Sequence, residues 1–224
     1  MRKNGASGKG TGTATKAVRR APRPATRKGQ VTKDAILDVA KALASRVGLD
    51  GLTIGGLATE LRMSKSGLFA HFRSKEALQV EVLESASRDF IARVISPALA
   101  VPRGEGRVRA LFDLGFAWDK ASPGGCIFVA AAAELDDQPG PARDRLVSLQ
   151  REWLDIVAKA YRTAIEAGDF RADLDPKQLA YEMYWITLGY HHASRLLRDA
   201  DAGERASRAF EGLLERARAP KRGA

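Results

Sequence analysis

The chain has 224 residues, enough for one large core or two small ones, and its 45% hydrophobic content is ordinary for a soluble globular protein. It holds no apolar run of about eighteen residues, which argues against a membrane span, and its single cysteine, Cys126, excludes an internal disulfide. The net charge of +10 is concentrated at one end: residues 1–33 hold ten Lys or Arg and no acid, while the other 27 Lys and Arg match 27 Asp and Glu.

Residues 1–30 are rich in Gly, Ala, Thr, Lys, Arg and Pro. They lack the apolar side chains that offset ordering entropy, so a disordered basic tail is expected. Such a tail suits a polyanion, but it is equally well read as a solubilising extension. It has no apolar stretch of the secretory kind, which with the lone cysteine points to the reducing cytoplasm.

From Thr32 the texture changes. Ile36, Leu37, Ala40, Leu43, Ala44 and Val47 fall at helical spacing, with Thr32 placed to cap and Gly48 to terminate. Thr53 can cap a short second helix carrying Leu57, Ala58 and Leu61. Ser64 can cap a third, ending near Phe72, and Ser74 a fourth, with Leu78, Val82 and Leu83 on one face. Pro97 and Pro102 are expected to break that helix. Further helices are expected over 105–120, 126–136, 142–168, 176–199 and 203–218, and no strand, repeat or heptad run appears. The fold class is therefore all-α.

The second and third helices have the make-up of a helix-turn-helix. Leu57, Leu61, Met63, Leu68 and Phe72 can form its inner surface, and Ala58 supplies the small residue at the crossing. Lys65, Ser66, Gly67, Phe69, Ala70 and His71 are then left outward or at the rim. From Arg62 to Lys75 there are cations and no acid, a local field suited to phosphates. By spacing alone, an ordinary pair of short helices with a solvated basic rim fits as well.

Residues 32–90 closely resemble the N-terminal domain of TetR-family transcriptional regulators. The resemblance rests on Ser64-Lys65-x-Gly67-Leu68-Phe69-x-His71-Phe72-x-Ser74-Lys75-Glu76-x-Leu78 and the helix before it. It implies a basic tail (1–30), a three-helix DNA-binding domain (31–78), a larger helical effector-binding and dimerisation bundle (79–218) and a short C-terminal tail (219–224). It implies that Thr53 and Lys75 contact phosphate, and that Lys65, Ser66, Gly67, Phe69 and His71 lie along the major groove of double-stranded DNA. Two positions depart from the family pattern. Phe69 stands where Tyr is frequent, and Arg62 stands where Gly is frequent, so a left-handed backbone at Arg62 would be strained. Beyond residue 90 the likeness is one of length and helical character.

In the remaining two-thirds, two apolar stripes run along the helix that contains Tyr181. One holds Tyr181, Tyr184, Trp185 and Leu188; the other holds Met183, Ile186, Tyr190 and Leu197. Two stripes suit a helix buried on both sides, by its own subunit and by a second copy, or else a central helix in one large monomeric core. Met183, Ile186, Tyr190 and Leu197, with Phe210, Leu213 and Leu214 of the last helix, are thus the expected homodimer interface. Phe112, Phe116, Cys126, Trp153 and Tyr184 are expected to face a cavity for a small apolar or aromatic effector, although plain core packing is the ordinary role of each.

An enzyme is not expected. The chain has no phosphate loop, nucleophile elbow or zinc motif. His191 and His192 are adjacent and point about 100° apart on a helix, a poor arrangement for one metal. Cys126 has no nearby cation in sequence and reads as a buried thiol, and Glu134, Asp136 and Asp137 read as a solvated helix end. No catalytic residue, metal or cofactor is assigned. The leading reading is a dimeric repressor of a palindromic operator, released by an effector. An effector-independent DNA-binding protein, or a helical ligand-binding protein that does not bind DNA, remain as alternatives.

Overall fold

The computed structural model describes residues 27–220, with side chains from Lys33 onward. Most of the expected tail, residues 1–26, lies outside the described residues, but positions 27–30 are already helical. Helix α1 spans Arg27–Val47, so Thr32 is an interior position and not its cap. Its C-terminus is as expected: Gly48 takes a left-handed φ of 83°, and its N–H donates to the Ala44 carbonyl at 2.9 Å.

Three hydroxyl caps then lay out the next helices. Thr53 Oγ1 accepts from Gly56 N at the start of α2 (Ile54–Glu60), and Ser64 Oγ accepts from Gly67 N at the start of α3 (Lys65–Phe69). Ser74 Oγ accepts from Ala77 N at the start of α4 (Lys75–Phe90). Helical hydrogen bonding runs beyond α3 to Phe72, whose N–H donates to the Leu68 carbonyl.

The expected break at Pro97 does not occur. The rod continues from α4 through a π-helical turn, Ile91–Ile95, into α5 (Ser96–Ala100) and ends at Val101. Proline lacks an N–H and its ring crowds the carbonyl four residues back. The widened π turn lies just upstream, and Pro97 falls in the first turn of α5, where a missing N–H costs little.

The bundle is completed by α6 (Glu105–Ala121), α7 (Ile127–Leu135), α8 (Pro141–Glu166), α9 (Pro176–Arg195) and α10 (Ala202–Ala217). Pro176 occupies the first turn of α9, and Asp175 caps it by accepting from Lys177 N at 2.9 Å. Among the described residues no strand forms; one isolated bridge joins Phe170 to Arg218. Ala219, the first residue of the expected C-terminal tail, donates to the Asp169 carbonyl at 2.9 Å, and residues 221–224 lie outside the described part.

Two hydrophobic cores form, and they do not divide at residue 78. The first joins α1–α4 to Ile127, Ala131 and Leu135 of α7 and to Ala142, Leu146 and Leu149 of α8. The second joins α6, the later part of α8, α9 and α10 around Tyr161, Phe170 and Phe210. Helices α1–α4 are thus seated on the later helices through a shared core. Ion pairs at the edge of α4 reinforce this: Lys33–Glu81 at 2.5 Å, Lys41–Asp89, and a two-pronged Arg145–Glu84 contact at 2.6 and 3.2 Å.

Candidate functional site

The helix-turn-helix places its residues by burial. Leu57, Leu68 and Phe72 are enclosed in the first core, with Leu61 and Met63 packed against it. Lys65, Ser66 and Ala70 are exposed, Phe69 is 52% exposed, and Gly67 and His71 are half-buried at the rim. A large aromatic ring held in solvent at the tip of a short helix is unexplained by packing. The turn departs from helical geometry at Arg62, with φ 53°. The Met63 N–H reaches back to the Ala58 carbonyl at 2.9 Å, so the left-handed residue closes α2.

The two residues expected to contact phosphate are engaged within the chain. The Thr53 hydroxyl accepts the cap bond from Gly56 N at 3.0 Å. Lys75 Nζ donates to Asp50 Oδ1 at 2.6 Å, while Asp50 N donates to Glu134 Oε2 at 2.7 Å. Glu134 is therefore not the solvated helix end expected of it. It joins α7 to the loop after α1, and its carboxylate lies where a Cβ at Gly48 would fall. Gly124 makes a second seam: a Cβ there would lie 1.3 Å from the Ser45 carbonyl oxygen, so the loop before α7 needs glycine to rest on α1.

Where the two cores meet there is a cavity of about 270 Å³. The N-terminal rod contributes Ser87, Phe90, Ile91 and Ile95, so the π turn forms part of its wall. Of the residues expected to face a cavity, Phe112, Cys126, Trp153 and Tyr184 line this one. Phe116 does not; it lies between Phe112 (5.9 Å between ring centroids) and Tyr190 (4.3 Å). Phe90 organises the remaining aromatic wall, meeting Trp118, Phe128 and Trp153 edge-on at 5.4, 5.8 and 5.1 Å. The Tyr184 hydroxyl donates to Gln150 Oε1, and burial holds its pKa above the usual tyrosine value. Burial also pushes the Cys126 thiol up to about 11.

One wall residue went unnoticed in the sequence. Asp119 is 1% exposed and lines the cavity. Its Oδ2 accepts from Cys126 N at 3.0 Å and lies 2.8 Å from His191 Nδ1. Its Oδ1 has no hydrogen-bond partner, and neither does the neighbouring Trp118 Nε1. Arg195 is occupied by the Pro123 and Ser122 carbonyls at 2.7 and 2.6 Å. The signal was available: Leu111, Phe112, Gly115, Trp118 and Asp119 recur at helical spacing, so an acid sits on the inward stripe of α6.

The residues expected at a subunit interface need correction. Met183, Phe210, Leu213 and Leu214 are buried in the subunit's own second core and have no surface to offer a second copy. Ile186 packs on that core, and the Tyr190 ring lies tilted against Phe116. The reason is that α9 packs on both α8 and α10, which consumes this stripe within the subunit. Leu197 does remain exposed. So do Tyr181 and Trp185 of the other stripe, 54% and 51% exposed, with Leu196 beyond the helix end, whereas Tyr184 of that stripe turns into the cavity and Leu188 is half-buried.

Comparison with known proteins fits this geometry. Residues 36–82 match the family described as bacterial regulatory proteins, tetR family, and residues 104–210 match the tetracyclin repressor-like C-terminal domain. The chain is similar to the transcriptional regulator AcuR of Cereibacter sphaeroides, 26% identical over 157 residues, covering 63% of this chain and 69% of that protein. It is similar in structure to a TetR transcriptional regulator from Chloroflexus aurantiacus, with TM-score 0.74 and 26% identity, covering 85% of this chain and 96% of the other. It also shares its fold with AibR, solved in complex with isovaleryl coenzyme A and operator DNA, with TM-score 0.65 and 22% identity over 83% of this chain and 98% of the other.

Proposed function

The chain belongs to the TetR family of DNA-binding transcriptional regulators, and on that basis we propose that it is an effector-released repressor that binds a palindromic operator as a homodimer in the cytoplasm. The observation that carries this reading is the double role of one rod. Helix α4 begins at Ser74 and Lys75, beside the reading helix, and its far end supplies Phe90 and the π turn to the cavity wall. A ligand that favours one placement of Phe90 therefore also favours one placement of Lys75. The free energy available to shift the heads is the difference in ligand affinity between the two arrangements.

In this reading Lys65, Ser66, Gly67, Phe69 and His71 face the major groove, and Thr53 and Lys75 meet phosphates. Phe69 offers an apolar face suited to a thymine methyl. Two copies meet through Tyr181, Trp185, Leu196 and Leu197, and the two-fold axis sets the half-site spacing. A relative that holds operator DNA and an organic ligand in one complex supports the same division of labour here.

Footprinting across the chain's own upstream DNA, followed by gel shifts, tests the reading. Lys65→Ala and His71→Ala should reduce discrimination between operator and random DNA. Lys75→Ala should weaken binding to all sequences alike and lower the salt slope by about one. Specific binding that survives the first two substitutions overturns the assignment of the reading helix.

A further inference from the structure

The cavity has a chemical bias that its apolar lining conceals. Its charged wall residues are Asp119 and Glu152, and neither Lys nor Arg lines it. Glu152 is at the mouth, 57% exposed and paired with Arg145 at 3.2 Å, so the interior charge is that of Asp119. That carboxylate is buried, and one of its oxygens has no partner. Its other oxygen is held by Cys126 N and His191 Nδ1. Both of these contacts fall on Oδ2, which leaves Oδ1 of the buried carboxylate as an acceptor beside the cavity. A buried carboxylate oxygen without a partner is costly, and a ligand that donates to it recovers that cost. Six aromatic rings, Phe90, Phe112, Trp118, Phe128, Trp153 and Tyr184, share the wall with aliphatic side chains such as Leu111, Ile156 and Met183. Aromatic faces pack against any apolar group, and they add an electrostatic attraction when the group carries a positive charge.

From this juxtaposition of a buried, half-satisfied carboxylate and an aromatic wall, we propose that the cavity selects a compact organic cation, an amine or ammonium group on an aryl or alkyl body. The inference rests on the reading of this cavity as the effector site, and it names the effector's class. The ammonium donates to Asp119 Oδ1 and lies against the rings, while the body fills the space beside Leu111 and Met183. A volume of about 270 Å³ suits a ligand of modest size. A carboxylate or a coenzyme A thioester is disfavoured, because its charge would oppose Asp119 with no cation in the wall to receive it.

Three probes of matched shape test this: 4-phenylbutylamine, 4-phenylbutanol and 4-phenylbutyrate. Each is titrated calorimetrically into the full chain at about pH 8, where an alkylamine is charged. The amine should bind at least about tenfold tighter than the alcohol, and the carboxylate weakest of all. Asp119→Asn, checked for folding by circular dichroism, should remove the preference for amine over alcohol. The comparison of probes needs no variant, so it stands even where that substitution disturbs the loop before α7. No binding by the amine, or binding of the alcohol or carboxylate as tight as the amine, overturns the proposal. A gel shift on the footprinted operator separates the two readings. If the alcohol or carboxylate releases DNA and the amine does not, effector release stands and the cation assignment falls. If the amine binds through Asp119 but leaves the DNA complex intact, the cation site stands and effector release through this cavity falls.

Discussion

Arg62 shows how a single backbone angle exposes a compromise. With φ at 53° it sits where a Cβ crowds its own carbonyl. Arg62→Gly relieves that strain and adds unfolded-state entropy, two effects of similar size and opposite sign. The expected net gain is about 0.5 kcal/mol, read as a small rise in Tm without DNA. Asp50 is a second such position. It holds Lys75 at 2.6 Å and is largely exposed, so the pair contributes little stability while competing with a phosphate. Asp50→Asn should tighten binding to any duplex about two- to fivefold in gel shifts. Cys126 differs from both because its environment silences it. With its pKa near 11, about one thiol in a thousand is ionised at pH 8. Ellman's reagent should react slowly with the folded chain and rapidly after denaturation.

At the scale of elements, polar contacts link helices that the cores alone would leave free to slide. Glu105 at the start of α6 receives Arg218 at 2.8 and 2.9 Å and Arg109 at 2.8 Å, and Arg109 also reaches Glu211 of α10. The bond to Arg218 is the main reason that the Glu105 carboxyl falls from the usual 4.5 to about 2. A carboxyl depressed by folding adds stability that is complete above its unfolded pKa and is lost as pH falls through its folded one. Urea melts between pH 5 and pH 2 should therefore show a loss of about 1–2 kcal/mol, discounted for the exposure of both arginines. In Glu105→Gln that part of the pH dependence should be absent. The π turn belongs to this scale too. It carries the rod past Pro97 and forms cavity wall in the same stretch, so the adaptation to proline and the shape of the site are one feature.

For the molecule as a whole, Tyr181 and Trp185 of α9 leave apolar surface uncovered. Tyr181 and Trp185 stand half in solvent, edge-to-face at 5.6 Å, with Leu196 and Leu197 more exposed still. Clustered apolar exposure of this kind marks an association face. Trp185→Asp should shift the chain toward monomer in sedimentation and weaken operator binding more than tenfold, because a single short reading helix has few contacts. The seam at Gly124 and Glu134 belongs here as well, since it fastens the reading domain to the bundle by contacts outside α4.

Local chemistry was legible in the residues themselves. Thr53, Ser64 and Ser74 announce their helices because a capping hydroxyl acts within three residues, and the Ser64–Leu78 run announces the reading head. The left-handed backbone at Arg62 followed from the family pattern, in which Gly is frequent at that place. Long-range facts could not be read this way. Amphipathic spacing says that α9 has two apolar faces but not which one its own subunit covers, and packing between α8 and α10 buried the stripe with Met183 and left Trp185 outside. Nor could composition show that Asp119, an ordinary acid near a helix end, would meet His191 across 72 positions of chain and keep one oxygen unpartnered beside an aromatic wall. Periodicity reports one helix at a time, whereas burial and the charge of a cavity are properties of several helices together.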